Sequence, residues 1–90
     1  MGKTEVEMYV IAIHDISDPD AFWAEATQLD IPDWMELPTV APSSDGKRAI
    51  CIWKGDSVDA VRELVDGASE GIATQEYFEV NDESAQGLPA

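Results

Sequence analysis

The stretch Glu5-Val-Glu-Met-Tyr-Val-Ile-Ala-Ile-His-Asp15 decides the fold. A strand with one wet face alternates apolar and polar residues. Here the alternation stops after Glu7. Met8 to Ile13 is apolar without a break, and the run ends at His14, the single histidine of the chain. Both faces of such a strand need cover, so it belongs at the centre of a sheet with a packing surface on each side. Arg48 to Lys54 repeats the pattern, because its centre, Ala49-Ile-Cys-Ile-Trp53, is again apolar on both parities.

The remaining elements follow from local signals. Ser17-Asp-Pro-Asp20 is a helix start: Asp18 caps, Pro19 fits the first helical position and Asp20 suits the positive end of the dipole. The helix from Pro19 to about Leu29 puts Phe22, Ala26 and Leu29 on one stripe, with Trp23 at its border. Ile31-Pro-Asp-Trp34 reads as a connection. Leu37 to Ala41 is a short strand that Pro38 and Pro42 confine to a sheet edge. Ser43 to Lys47, with Asp45-Gly46, is a hairpin turn. Ser57 starts a second helix, Val58 to about Ala68, whose apolar face is Val58, Val61, Leu64 and Val65. Thr74 to Val80 is the last strand. Residues 81–90 turn polar and are expected to form a tail.

The order βαββαβ is a ferredoxin-like α+β arrangement over residues 1–80, with a four-stranded antiparallel sheet and two helices on one face. In it the first and third strands are central, which agrees with their two apolar faces. Nothing in the chain is left to cover the other side of the sheet. A second copy, sheet against sheet, is the expected cover, and the alternative is a monomer with that face partly exposed.

Nineteen acidic residues stand against five basic ones, a formal charge of -14. The acids are spread through every segment, and the lysines are Lys3, Lys47 and Lys54 alone. In molar salt the Debye length falls to about 3 Å, so dispersed carboxylates cease to repel one another. Two readings of the acidity stand: a cationic partner, such as a metal or a basic protein, or a salt-rich cytoplasm. Dispersed acid with little lysine resembles the composition of a protein from a salt-loving archaeon. The acidity argues against nucleic acid as a partner, which requires a basic footprint. One cysteine excludes an internal disulfide and a four-ligand zinc framework. No apolar run approaches a membrane span and no basic-then-apolar leader opens the chain, so the expected location is cytoplasmic.

Tyr9-Val-Ile-Ala-Ile-His14 with Ser17-Asp-Pro-Asp-Ala-Phe-Trp23 resembles the opening of small dimeric α+β-barrel proteins. Ala49 to Trp53, Asp56-Ser57 with Ala60-Val61, and Tyr77-Phe-Glu-Val80 are similar to the second half of the DUF4242-like, nickel-binding-protein-like group of that superfamily. The likeness spans most of residues 6–80. It implies a homodimer and a ligand cleft between helices and sheet. The wider superfamily includes cofactor-free monooxygenases, haem-handling enzymes and effector-binding domains. A nickel site of that group would draw on several imidazoles, whereas this chain has only His14, so no metal ligands and no cofactor are assigned.

Two readings of His14 stand side by side. It is a general base or a single metal ligand, or it is a strand-end histidine bonded to backbone or solvent. Asp15 points to the opposite face and is a poor orienting partner. Cys51, between isoleucines, reads as a buried packing residue, since a reactive thiolate needs a nearby cation or helix start. Val10, Ala12 and His14 share one face of the first strand, and Cys51 and Trp53 one face of the third. If those faces coincide, small Ala12 and Cys51 leave room beneath Trp53 and His14 for an apolar pocket, and otherwise they are ordinary core. The candidate ligand-binding set is Ala12, His14, Trp23, Cys51, Trp53 and Tyr77. The leading expectation is a small-ligand-binding module. The alternatives are a cofactor-independent oxygenase or isomerase with His14 as general base, and a nickel-like metal-binding protein.

Overall fold

The computed structural model describes residues 8–89. The expected frayed start, Met1 to Thr4, and the first residues of the opening strand, Glu5 to Glu7, lie outside the described residues. The elements are β1 (Met8–Ile16), α1 (Pro19–Thr27), β2 (Glu36–Pro42), β3 (Arg48–Gly55), α2 (Val58–Ser69) and β4 (Ala73–Glu79). The sheet is antiparallel throughout, in the order β2-β3-β1-β4. This is the ferredoxin-like α+β fold, with the two doubly apolar strands at its centre.

Each helix starts as its sequence dictates. The Asp18 carboxylate accepts from the Ala21 N–H at 3.2 Å, with Pro19 at the first helical position. The Ser57 hydroxyl accepts from the Ala60 N–H at 3.0 Å. Those side chains satisfy donors that a helix N-terminus otherwise leaves without a partner. Helix α1 stops at Thr27, two residues before the expected end, and Ala26 is exposed. Leu29 packs on the core from the following loop instead. In α2, Val61 and Val65 are buried, while Val58 and Leu64 pack at the margin. Gly67 lies within α2, and Gly71 just beyond it adopts a φ of 81°, a left-handed turn that glycine enters without steric cost.

Edge strand β2 carries a register irregularity between Glu36 and Thr39. Pro38 sits inside it, where a missing N–H does least harm. The β2–β3 turn is held by the Asp45 carboxylate, which accepts from the Lys47 N–H at 2.9 Å and from the Ser43 hydroxyl at 2.7 Å. These bonds hold the Asp45 carboxyl below its ordinary range.

The register settles which parity meets the helices. Val10 lies opposite Trp53, Ala12 opposite Cys51 and His14 opposite Ala49. All six are buried. Val10, Ala12, Met35, Cys51 and Trp53 join Val61 and Val65 of α2 in one core cluster, and Ile16 and Ala49 join Phe22 of α1 in another. Both helices therefore lie on the face of His14. The opposite face carries Ile11, Ile13, Ile50, Ile52 and Phe78 with no helix of the described residues over it; Ile50 is 45% exposed and Phe78 48%. The stretch 80–89 begins by continuing the ladder, Val80 N–H to Tyr9 C=O at 2.8 Å. It ends with the Tyr9 hydroxyl donating to the Pro89 carbonyl. No described helix is long and apolar enough to cross a membrane.

Candidate functional site

A cavity of about 60 Å³ opens between the sheet and the two helices. Strands β1 and β3 supply His14, Cys51 and Trp53, α1 supplies Phe22 and Trp23, and α2 supplies Val65 and Ser69. Exposed Glu25, Ala26 and Val40 mark its mouth. Four of the six residues expected to bind a ligand, His14, Trp23, Cys51 and Trp53, therefore meet around one space. Ala12 and Tyr77 do not line it. Ala12 is fully buried in the core, paired with Cys51 on one side and Tyr77 on the other. Tyr77 stands outside the wall, its hydroxyl bonded to the Asp66 carboxylate.

His14 is not a strand-end residue in contact with solvent. Strand β1 continues two residues past it, and the side chain is only 2% exposed. Its ring stands edge-on to Phe22, with centroids 5.2 Å apart. Nδ1 lies 3.2 Å from the Gln75 Oε1. Gln75 is the residue directly across the β1–β4 ladder, so backbone register delivers this partner. The Gln75 amide nitrogen donates to the Asp66 carboxylate at 2.9 Å, and the Tyr77 hydroxyl donates to the same oxygen at 2.6 Å. Ser69 lies between the two layers. Its hydroxyl is 2.8 Å from the Val65 carbonyl and 3.3 Å from the Gln75 Oε1.

This chain of bonds sets the histidine tautomer. An ionised carboxylate only accepts, so Gln75 presents its NH2 to Asp66 and its oxygen to His14. An oxygen facing Nδ1 requires a proton on Nδ1. The lone pair of the neutral ring is then on Nε2. Burial lowers the His14 pKa, and the Gln75 bond and the Asp66 charge only partly oppose this. His14 is therefore neutral at pH 7. Nε2 is buried and has no hydrogen-bond partner among the described residues, and the same holds for the Trp53 indole N–H.

The other polar groups are less promising chemically. Burial pushes the Cys51 thiol up to about 11, so it is a packing residue rather than a nucleophile. Burial, then the bond to Asp66, raises the Tyr77 phenol well above its ordinary value. Among the described residues no group of three or more histidine, cysteine, aspartate or glutamate side chains could hold a metal ion. The Trp23 indole N–H donates to the Gly46 carbonyl at 3.2 Å, tying α1 to the β2–β3 turn beside the cavity mouth.

Gln75, Asp66 and Ser69 escape a reading of the sequence. Asp66 and Ser69 are three apart and so share a helix face, and Gln75 has the same strand parity as Tyr77. Those signals become informative only once β4 is known to pair with β1 and to pack beside α2. Compared with known proteins, the chain matches no family model, no curated protein and no solved structure. The fold and the site geometry are thus the ground on which function is argued.

Proposed function

We propose that this protein is a small-ligand-binding module whose site is the cavity between α1, α2 and the sheet. One observation carries the reading: a cavity lies between the helices and the sheet with a lining that is almost wholly apolar and aromatic, and the buried His14, held through Nδ1 by Gln75, is among the residues that line it. An apolar pocket with a small number of polar groups is the usual form of a small-molecule site. A metabolite panel tests this by thermal shift. A ligand at 100 times its Kd stabilises the fold by about 2.7 kcal/mol, and the cavity-filling variant Ala68→Phe should abolish the gain. If no compound raises the wild-type midpoint, or if Ala68→Phe responds equally, the cavity is not the site.

The same ring favours a second reading, a cofactor-independent oxygenase or isomerase with His14 as general base. Nδ1 is held by Gln75 with Asp66 behind it, and Nε2 keeps its lone pair. This is how a base is oriented. A His14→Gln variant that still binds a substrate but no longer turns it over would favour catalysis, whereas unchanged turnover would eliminate it.

The proposal includes a homodimer formed through the open sheet face. That face bears Asp15, Glu36 and Glu76 against Arg48 and Lys54. It is close to neutral on a chain of net charge -14, and a second copy meets least repulsion there. Kinship with dimeric α+β-barrel proteins, and a cytoplasm rich in salt, belong to the same reading. They are supported by the βαββαβ order and by the dispersed acids.

A further inference from the structure

The cavity wall offers a ligand almost nothing polar to hold. Its polar side chains are committed elsewhere or shut away. The Ser69 hydroxyl donates to the Val65 carbonyl, the Trp23 indole N–H donates to the Gly46 carbonyl, and His14 is held through Nδ1 by Gln75. His14 Nε2 and the Trp53 indole nitrogen are buried within the protein and closed to water. The rest of the inner lining is apolar, from Leu29, Leu37, Cys51, Val65 and Ala68. A group that needs hydrogen bonds would give up water there and gain no partner. The inserted part of a ligand is therefore apolar.

Size and charge narrow the choice further. An apolar cavity that encloses a benzene ring has a volume of about 150 Å³, against about 60 Å³ here. A ring is too large to enter whole, whereas an alkyl chain is narrower. Among the described residues the one acidic or basic side chain in the lining besides His14 is Glu25, which is exposed at the mouth. On a chain of net charge -14, a carboxylate or phosphate head group at that mouth meets repulsion and no counter-charge.

We propose that the cavity takes the aliphatic end of a small uncharged molecule, leaving any polar group of that molecule in water at the mouth beside Glu25, Ala26 and Val40. This deepens the ligand-binding reading and rests on it, not on the catalytic one. Affinity comes from methylenes removed from water, and selection from girth and from the absence of negative charge. Each methylene buried tightens binding about fourfold until the cavity is full.

The test uses the full chain, isotopically labelled, in nuclear magnetic resonance titrations with butanol, pentanol, hexanol, hexanoate and benzyl alcohol. The three linear alcohols vary chain length under one head group. Hexanoate keeps the six carbons of hexanol and adds a negative charge, and benzyl alcohol keeps the hydroxyl but replaces the chain with a ring. The Kd is expected to fall about fourfold per methylene from butanol to hexanol, with the methyl signals of Leu37 and Val65 shifting. Hexanoate and benzyl alcohol should each bind about tenfold more weakly than hexanol, or worse. Glu25→Gln should tighten hexanoate binding severalfold, and Ala68→Phe should abolish the shifts. Binding indifferent to chain length, or hexanoate or benzyl alcohol as tight as hexanol, would overturn the aliphatic inference and leave the cavity as a binding site. No shift at Leu37 and Val65 with any compound would overturn both.

Discussion

His14 concentrates the residue-scale chemistry. Phe22, Gln75 and Ser69 surround it, and Asp66 is the charge closest behind them. Its folded pKa is lowered by burial from an ordinary 6.5. Between the folded and unfolded values the unfolded chain binds more protons, so stability rises with pH across that window. The contribution is fully present above about pH 6.5 and is lost as pH falls toward the folded value, with a slope of at most about 1.4 kcal/mol per pH unit. Urea titrations between pH 5 and 7 should show this slope in the wild type and a flatter profile in His14→Gln. A wild type with no slope in that range would mean that the ring is not held neutral. Cys51 provides a second check. A buried thiol pushed up to about 11 should resist a thiol reagent in the native protein and react on unfolding. Rapid native labelling would contradict that placement.

At the scale of elements, the caps and the turn hold the cavity walls in place. Ser57→Ala removes the acceptor for the Ala60 N–H and should cost about 1 kcal/mol. For a domain of this size that lowers the thermal midpoint by about 4–8 °C. Asp18→Ala should act similarly on α1. Since α1 carries Phe22 and Trp23, that variant should also weaken ligand binding beyond its effect on stability. Gly46 has a φ of 76°, and a Cβ there would stand 3.5 Å from the Trp23 indole nitrogen. Gly46→Ala should therefore cost about 1 kcal/mol through the backbone alone. These elements were legible in the sequence because their signals are local: Asp18-Pro19, Ser57 and Asp45-Gly46 each act within a few residues. The end of α1 was not, because Leu29 leaves the helix to pack on the core from a loop.

On the scale of the whole molecule, the two faces of one sheet have different fates. One face is closed by α1 and α2 and contains the cavity. The other exposes Ile50 and Phe78 on a nearly neutral patch of an acidic chain. A homodimer through that face should bury about 800 Å² per partner to be stable. Sedimentation in molar salt should show a dimer, and Phe78→Glu or Ile50→Glu should shift it to monomer with the fold retained. A wild-type monomer across the whole salt range, or a dimer indifferent to both substitutions, would discard this interface. Lowering the salt should weaken association and stability together, since screening then fails across the remaining surface.

The stretch from Met8 to His14 shows where the line falls between sequence and tertiary structure. By itself the sequence determined that this strand is central, that βαββαβ is the order, where the helices begin, and that the surface is acidic. Periodicity, capping and turn chemistry all operate over a few residues, and composition needs no structure. Which face of β1 meets the helices could not be read from it, because both faces are apolar and a shift of parity looks the same in either direction. The strand register and the two helices broke that tie and put His14, Cys51 and Trp53 on one wall. The partner of His14 lies 61 residues away and reaches it only through the β1–β4 ladder. The candidate site is therefore a property of the tertiary structure: it depends on long-range pairing to orient a ring that the sequence shows standing alone.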